Sequence, residues 1–123
     1  MIRGAVNARH EAVLTLRVRG PGGVELAVDV AIDTGFTAAL TLPAATIAAL
    51  GLAHQLCRLT MLADGTVRSL DTYEAEVEWD GAWLAVLVTE VECGPLLGMG
   101  LLAGHEVFIE FVPGGVVDIT PIP

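Results

Sequence analysis

At 123 residues the chain is the size of one domain and long enough to bury a sizeable core. Hydrophobic residues make up 54% of it and charged residues 17%, which excludes disorder and leaves more apolar side chain than a small monomer hides, so an oligomer is expected. Six basic residues against fifteen acidic ones give a net charge of −9, which repels phosphate backbones and argues against a nucleic-acid partner.

The opening Met1-Ile2-Arg3-Gly4 has neither the basic flank nor the apolar run of a signal peptide. Residues 34–57 carry no charge, but Gly35, Pro43, Gly51, several threonines and much alanine make them a poor membrane span. They are expected to be buried core, with no membrane partner and a cytoplasmic location. Cys57 and Cys93 lack CxxC spacing and are expected to be buried free thiols. His10, His54 and His105 are scattered, and neither His10-Glu11 nor His105-Glu106 extends to HExxH, so no metal is expected.

In chain order, residues 2–8 form a weak first strand and residues 12–19 a second. Pro21-Gly22-Gly23 turns this into a third strand, with Val24, Leu26, Val28, Val30 and Ile32 on its core face. A short strand, Leu40-Thr41-Leu42, precedes a helix over 43–50, with Pro43 inside the first turn and Gly51 just past the end. Strands over 55–62 and 66–79 are joined at Ala63-Asp64-Gly65, since Asp-Gly between strand-forming runs signals a hairpin. Ala75, Val77 and Trp79 face inward, and Glu74, Glu76 and Glu78 form a solvated face in preference to a metal or acid-base cluster. Asp80-Gly81 turns into a strand over 83–89. Residues 99–104 form a short helix or a turn, and strands over 107–111 and 116–119 flank Pro113-Gly114-Gly115. The pattern predicts one mostly β domain over 1–123, a small barrel or sandwich with one or two short helices.

Asp33-Thr34-Gly35 breaks the pattern of its own strand. A carboxylate that closes a hydrophobic run lies at or near the core, where it is costly unless paired or neutralised. Glycine two residues on permits a turn and a close approach by another group. The tripeptide by itself also suits an ordinary strand-ending turn, so its surroundings decide.

Those surroundings resemble the retropepsin-like aspartic proteases, half-size relatives of pepsin that act as homodimers. Three segments match in the family's order and together span most of the chain: Ala31-Ile32-Asp33-Thr34-Gly35, the hairpin Leu62-Ala63-Asp64-Gly65-Thr66, and Pro95-Leu96-Leu97-Gly98-Met99. The resemblance implies a small closed, barrel-like acid-protease domain. It makes Asp33 the catalytic carboxylate of a dyad shared by two copies, with Thr34 bonding across the dimer and Gly35 leaving room for substrate and water. Ala63, Asp64, Gly65 and Thr66 would form the tip of a flap over a peptide substrate, while Leu97 and Gly98 support the active-site loop. No cofactor is implied. One departure is Phe36, where the family usually carries a small residue such as serine, threonine or alanine. A phenyl ring cannot bond a catalytic carboxylate, which fits a narrowed pocket, a weakened enzyme, or a dimeric peptide-binding module that retains the motif for structural reasons.

Overall fold

The period-two stretches become strands because alternate side chains point to opposite faces, so each apolar set finds one core. A computed structural model describes Met1–Pro123. Ten strands and two short helices follow in chain order: β1 (Ile2–Val6), β2 (Ala12–Arg19), β3 (Glu25–Ile32), β4 (Leu40–Leu42), α1 (Ala44–Leu50), β5 (Ala53–Met61), β6 (Val67–Trp79), β7 (Ala82–Glu90), β8 (Leu96–Leu97), α2 (Met99–Leu102), β9 (His105–Ile109) and β10 (Val116–Pro121). The expected mostly β class holds.

The strands form a single sheet in the order β5-β6-β7-β4-β8-β3-β2-β1-β10-β9. An added pairing of β6 with β2, at Val18↔Val77 and Arg19↔Glu76, closes its middle into a ring. Two parallel pairings lie within that ring: β3 with β8 at Ile32↔Leu97, and β4 with β7 at Leu40↔Val88. On β2, Leu14, Leu16 and Val18 are buried while Thr15 and Arg17 point out. They meet Val30, Leu40, Leu42, Val77, Val88 and Leu97 in the ring's interior, with Ile47 and Leu50 of α1 and Leu101 and Leu102 of α2 packed into the same core.

The turns follow their chemistry. Asp80 (φ 50) and Gly81 (φ 86) both take positive φ between the paired residues Trp79 and Ala82, the two-residue turn that matches strand twist. Pro43 caps α1 from an extended conformation (φ −73, ψ 158), one position before the expected first turn. At the other end Gly51 takes φ 64. Its N–H donates to the Ala48 carbonyl while that of Leu52 donates to the Ile47 carbonyl, closing the last turn.

Three sequence expectations need correction. Residues 34–57 are core only in their middle, from Leu40 to Leu50, because β5 pairs with β6 alone and is exposed along almost its whole length. Leu56 (48%), Leu59 (79%) and Met61 (73%) therefore face solvent in the single chain. Cys57 lies on this same strand and Cys93 in the loop before β8, so both thiols are free but exposed, not buried. The glutamates of β6 are also less solvated than expected. Glu74 is exposed, but Glu76 and Glu78 are half-buried and pair with Arg19 (3.1 Å) and Arg17 (2.7 Å) where β2 meets β6. No helix is long and apolar enough to cross a membrane.

Leu40 is fully buried between β7 and β8, whereas Leu59 is 79% exposed. We expect Leu40→Ala to cost about 2–5 kcal/mol in urea denaturation. Leu59→Ala, which leaves no cavity, should stay within about 0.5 kcal/mol of the parent.

Candidate active site

β3 ends at Ile32 because the backbone there leaves its antiparallel partner β2 and joins β8. The Ala31 N–H donates to the Pro95 carbonyl (3.0 Å) and the Asp33 N–H to the Leu97 carbonyl (2.9 Å). Asp33, Thr34 and Gly35 then form a turn closed by the Phe36 N–H donating to the Asp33 carbonyl (3.1 Å). The Asp33 carboxylate accepts from the Gly35 N–H at 2.9 Å, which fixes its direction from within the triplet. A Cβ at Gly35 would lie 3.2 Å from that same oxygen. Asp33 is half-buried, while Thr34 and Gly35 are exposed.

The segment after the turn is bound to the start of α2 by three further backbone bonds. The Met99 N–H donates to the Phe36 carbonyl (2.7 Å), Gly98 N–H to Ala39 (2.9 Å) and Gly100 N–H to Ala38 (3.1 Å). Gly98 is buried, and a Cβ there would lie 2.1 Å from the Ala38 carbonyl oxygen and 2.5 Å from the Phe36 ring. Only glycine permits this approach. Leu97 is fully buried below.

Above the turn lies a cleft of about 390 Å³. Asp33, Gly35 and Phe36 line one side of it, and Thr60, Met61, Leu62, Ala63 and Leu70 of the β5–β6 hairpin line the other. Thr41, Thr89, Val91 and Leu96 complete the wall, and Asp33 is the one carboxylate among the lining residues. Of the residues singled out from sequence, the structure thus brings Asp33, Gly35, Phe36 and Ala63 to one cleft. Leu97 and Gly98 sit behind it. Asp64, Gly65 and Thr66 lie at the hairpin turn beyond the lining, and Thr34 is on the exposed side of its loop. Phe36 both packs on Gly98 and lines the cleft.

Sequence reading missed the threonines. Thr41 is 2% exposed, and its hydroxyl accepts from the Leu96 N–H at 2.9 Å, so it holds β4 against β8 at the cleft wall. A polar residue between two buried leucines on a three-residue strand was the available signal.

The hairpin turn is held by its own side chains. The Gly65 N–H donates to the Leu62 carbonyl (2.9 Å) with Gly65 at φ 84, and the Leu62 N–H donates to the Thr66 carbonyl (2.8 Å). One oxygen of Asp64 accepts from both the Thr66 hydroxyl (2.7 Å) and the Thr66 N–H (2.9 Å). These bonds, the hydroxyl's first, hold the Asp64 carboxyl below its ordinary range.

Among solved structures, the chain is similar to EIAV protease complexed with the inhibitor HBY-793, with a TM-score of 0.55 at 16% identity. The match covers 78% of this chain and 88% of that one. No family model and no curated protein matches. At this identity what the two chains share is the fold, so the expected retropepsin-like, mostly β architecture is the one observed.

Two outcomes follow from this geometry. Gly98→Ala should lose about 1–3 kcal/mol or more in chemical denaturation, because carbonyl and ring must move apart. Gly94→Ala, with nothing within 4 Å of the added methyl, serves as the neutral control. The hairpin turn should also survive mild acid. A carboxyl whose folded pKa is depressed contributes stability that is present above its unfolded pKa and lost only as pH falls through the lower folded value. In an NMR titration, the Asp64 carboxyl should titrate below the ordinary aspartate value of about 3.9, with the Thr66 amide shift following it.

Proposed function

We propose that the chain is an aspartic endopeptidase that works as a homodimer, with Asp33 of each copy contributing to one dyad. The observation that carries this reading is the cleft around Asp33. An Asp-Thr-Gly turn stitched to a Leu-Leu-Gly segment faces a long β-hairpin across a space lined by one carboxylate. Hydrolysis by this chemistry needs two carboxyl groups, so the second must come from another copy.

Two carboxylates held about 3 Å apart cannot both ionise readily and share one proton. The ionised member takes a proton from a water held between them. The protonated member donates to the scissile carbonyl oxygen while the water attacks the carbonyl carbon. Thr34, exposed at the middle of the triplet, would bond to the opposing loop, and Gly35 leaves space for the water. The substrate is an extended peptide lying between the Asp33 turn and the hairpin. Its backbone would pair with the hairpin's edge, and the exposed Leu59, Met61 and Val67 supply apolar surface for a partner or substrate to cover. Exposed Phe108, Phe111 and Val112 near the C-terminus offer a second apolar surface for the other copy. The chemistry requires no cofactor, and the net charge of −9 disfavours nucleic acid as a partner.

A second reading is a dimeric peptide-binding module with little or no hydrolysis, and Phe36 favours it. Phe36 lines the cleft at a position where a small residue would leave more room for substrate and water.

One experiment separates the two. An extended peptide library is incubated with the protein from acid to neutral pH, and sedimentation is run under the same conditions. Hydrolysis should track the dimer, and Asp33→Asn should reduce it by more than about a thousandfold with dimerisation retained. Full activity in Asp33→Asn, or in a folded monomer, would remove the dyad; peptide binding without cleavage would establish the module.

A further inference from the structure

The β5–β6 hairpin carries a group of side chains that the cleft does not use. Residues three apart on a regular strand point to opposite faces, so His54 and Cys57 should diverge. They do not, because the ladder is interrupted between His54 and Leu56. His54 pairs with Tyr73, Leu56 with Thr72 and Cys57 with Asp71, leaving Gln55 as an extra, unpaired residue. This bulge shifts the alternation by one, so His54, Cys57 and Asp71 emerge on the same face. That is the face opposite Thr72, whose hydroxyl donates to the Leu56 carbonyl.

The three ligating atoms lie within 4.8 Å of one another. The His54 Nε2 is 2.9 Å from Asp71 Oδ1, and Cys57 Sγ is 3.0 Å from the same oxygen. The Tyr73 ring meets the His54 imidazole edge-on at 5.4 Å and limits its rotation. His54 and Asp71 are each about half exposed, with side-chain accessibilities of 49% and 45%, which leaves room for a solvent ligand.

From the side-chain juxtaposition at this bulge we propose that His54, Cys57 and Asp71 form a binding site for a thiophilic divalent cation of the Zn²⁺ class. One sulfur, one imidazole nitrogen and one carboxylate oxygen are a borderline-soft donor set. It suits Zn²⁺ or Co²⁺ and does not suit Ca²⁺ or Mg²⁺, which take all-oxygen shells. In the metal-free chain the Cys57 thiol donates to Asp71. On binding, the sulfur gives that proton to solvent and bonds the ion as thiolate, while a water completes the tetrahedron. The ion joins β5 to β6 on the face away from the cleft, so it would fasten the base of the hairpin without entering the site around Asp33. The inference is independent of whether the chain hydrolyses peptides.

The test is titration of the full chain with Co²⁺ alone, followed by competition with Zn²⁺. The expected result is one equivalent per chain, with a thiolate-to-cobalt charge-transfer band, the visible bands of tetrahedral cobalt, and loss of both on adding Zn²⁺. Cys57→Ser should abolish the charge-transfer band, His54→Ala should weaken binding by more than about tenfold, and Cys93→Ser should change nothing. All three positions are exposed, and circular dichroism verifies that each variant is folded. The proposal is overturned if the parent shows no charge-transfer band, if the band survives Cys57→Ser or vanishes in Cys93→Ser, or if one ion is taken up per two chains.

Discussion

Everything in the candidate site depends on how closely two backbones approach at Gly98. Four N–H groups, those of Asp33, Gly98, Met99 and Gly100, bond across the gap between the Asp33 loop and the β8–α2 segment. A methyl group at position 98 would sit 2.1 Å from a carbonyl oxygen and hold those chains apart. With the approach made, the loop has almost no freedom. Its start is fixed by the parallel pairing of Ile32 with Leu97, its end by the antiparallel pairing of Leu40 with Leu97, and its middle by Phe36 and Ala38 bonding to α2. Asp33 is therefore presented by a sheet junction, and the precision of its placement is inherited from the core beneath it.

The opposite wall of the cleft has a different physical character. β6 belongs to the ring where it meets β2 and β7, but residues 67–71, with residues 57–61 of β5 opposite them, extend beyond it as a two-stranded ribbon. A two-stranded hairpin is marginal alone, since no second layer buries its side chains. Here Leu59, Met61 and Val67 stay exposed, and the ribbon is held by its ladder, by the Asp64–Thr66 bonds at its tip, and by Thr72 at its bulge. Elements of this kind open locally at lower cost than strands packed into a core. The contrast between a fixed floor and a loosely supported roof follows directly from which strands join the ring.

Strand positions were legible from sequence because apolar residues repeat every second position, and turns because Pro-Gly-Gly and Asp-Gly leave few backbone choices. Asp33 was legible for a related reason: a carboxylate after Val28–Ile32 contradicts its own strand. What the pattern could not reveal was layer membership. β5 reads as apolar enough for a core strand, with Leu56, Leu59 and Met61, yet topology leaves it outermost, and Cys57 goes to the surface with it. Whether a strand is covered depends on what the rest of the chain places over it, and no local repeat encodes that. The same limit hid the proximity of His54 to Cys57. An odd spacing on a strand implies opposite faces, and only the unpaired Gln55, a property of the ladder and not of the residue, reverses it.

Phe36 marks where floor and roof meet. Its backbone carbonyl takes the Met99 N–H, its ring lies against Gly98, and the residue lines the cleft. A small residue there would lose the contact with Gly98, so the ring exchanges cleft volume for packing against the segment that holds the Asp33 loop. This gives the bulky side chain after the Asp-Thr-Gly turn a structural role. The side chain that narrows the cleft also packs at the contact on which the placement of the carboxylate rests. The two effects cannot be separated at this position, because one residue serves both.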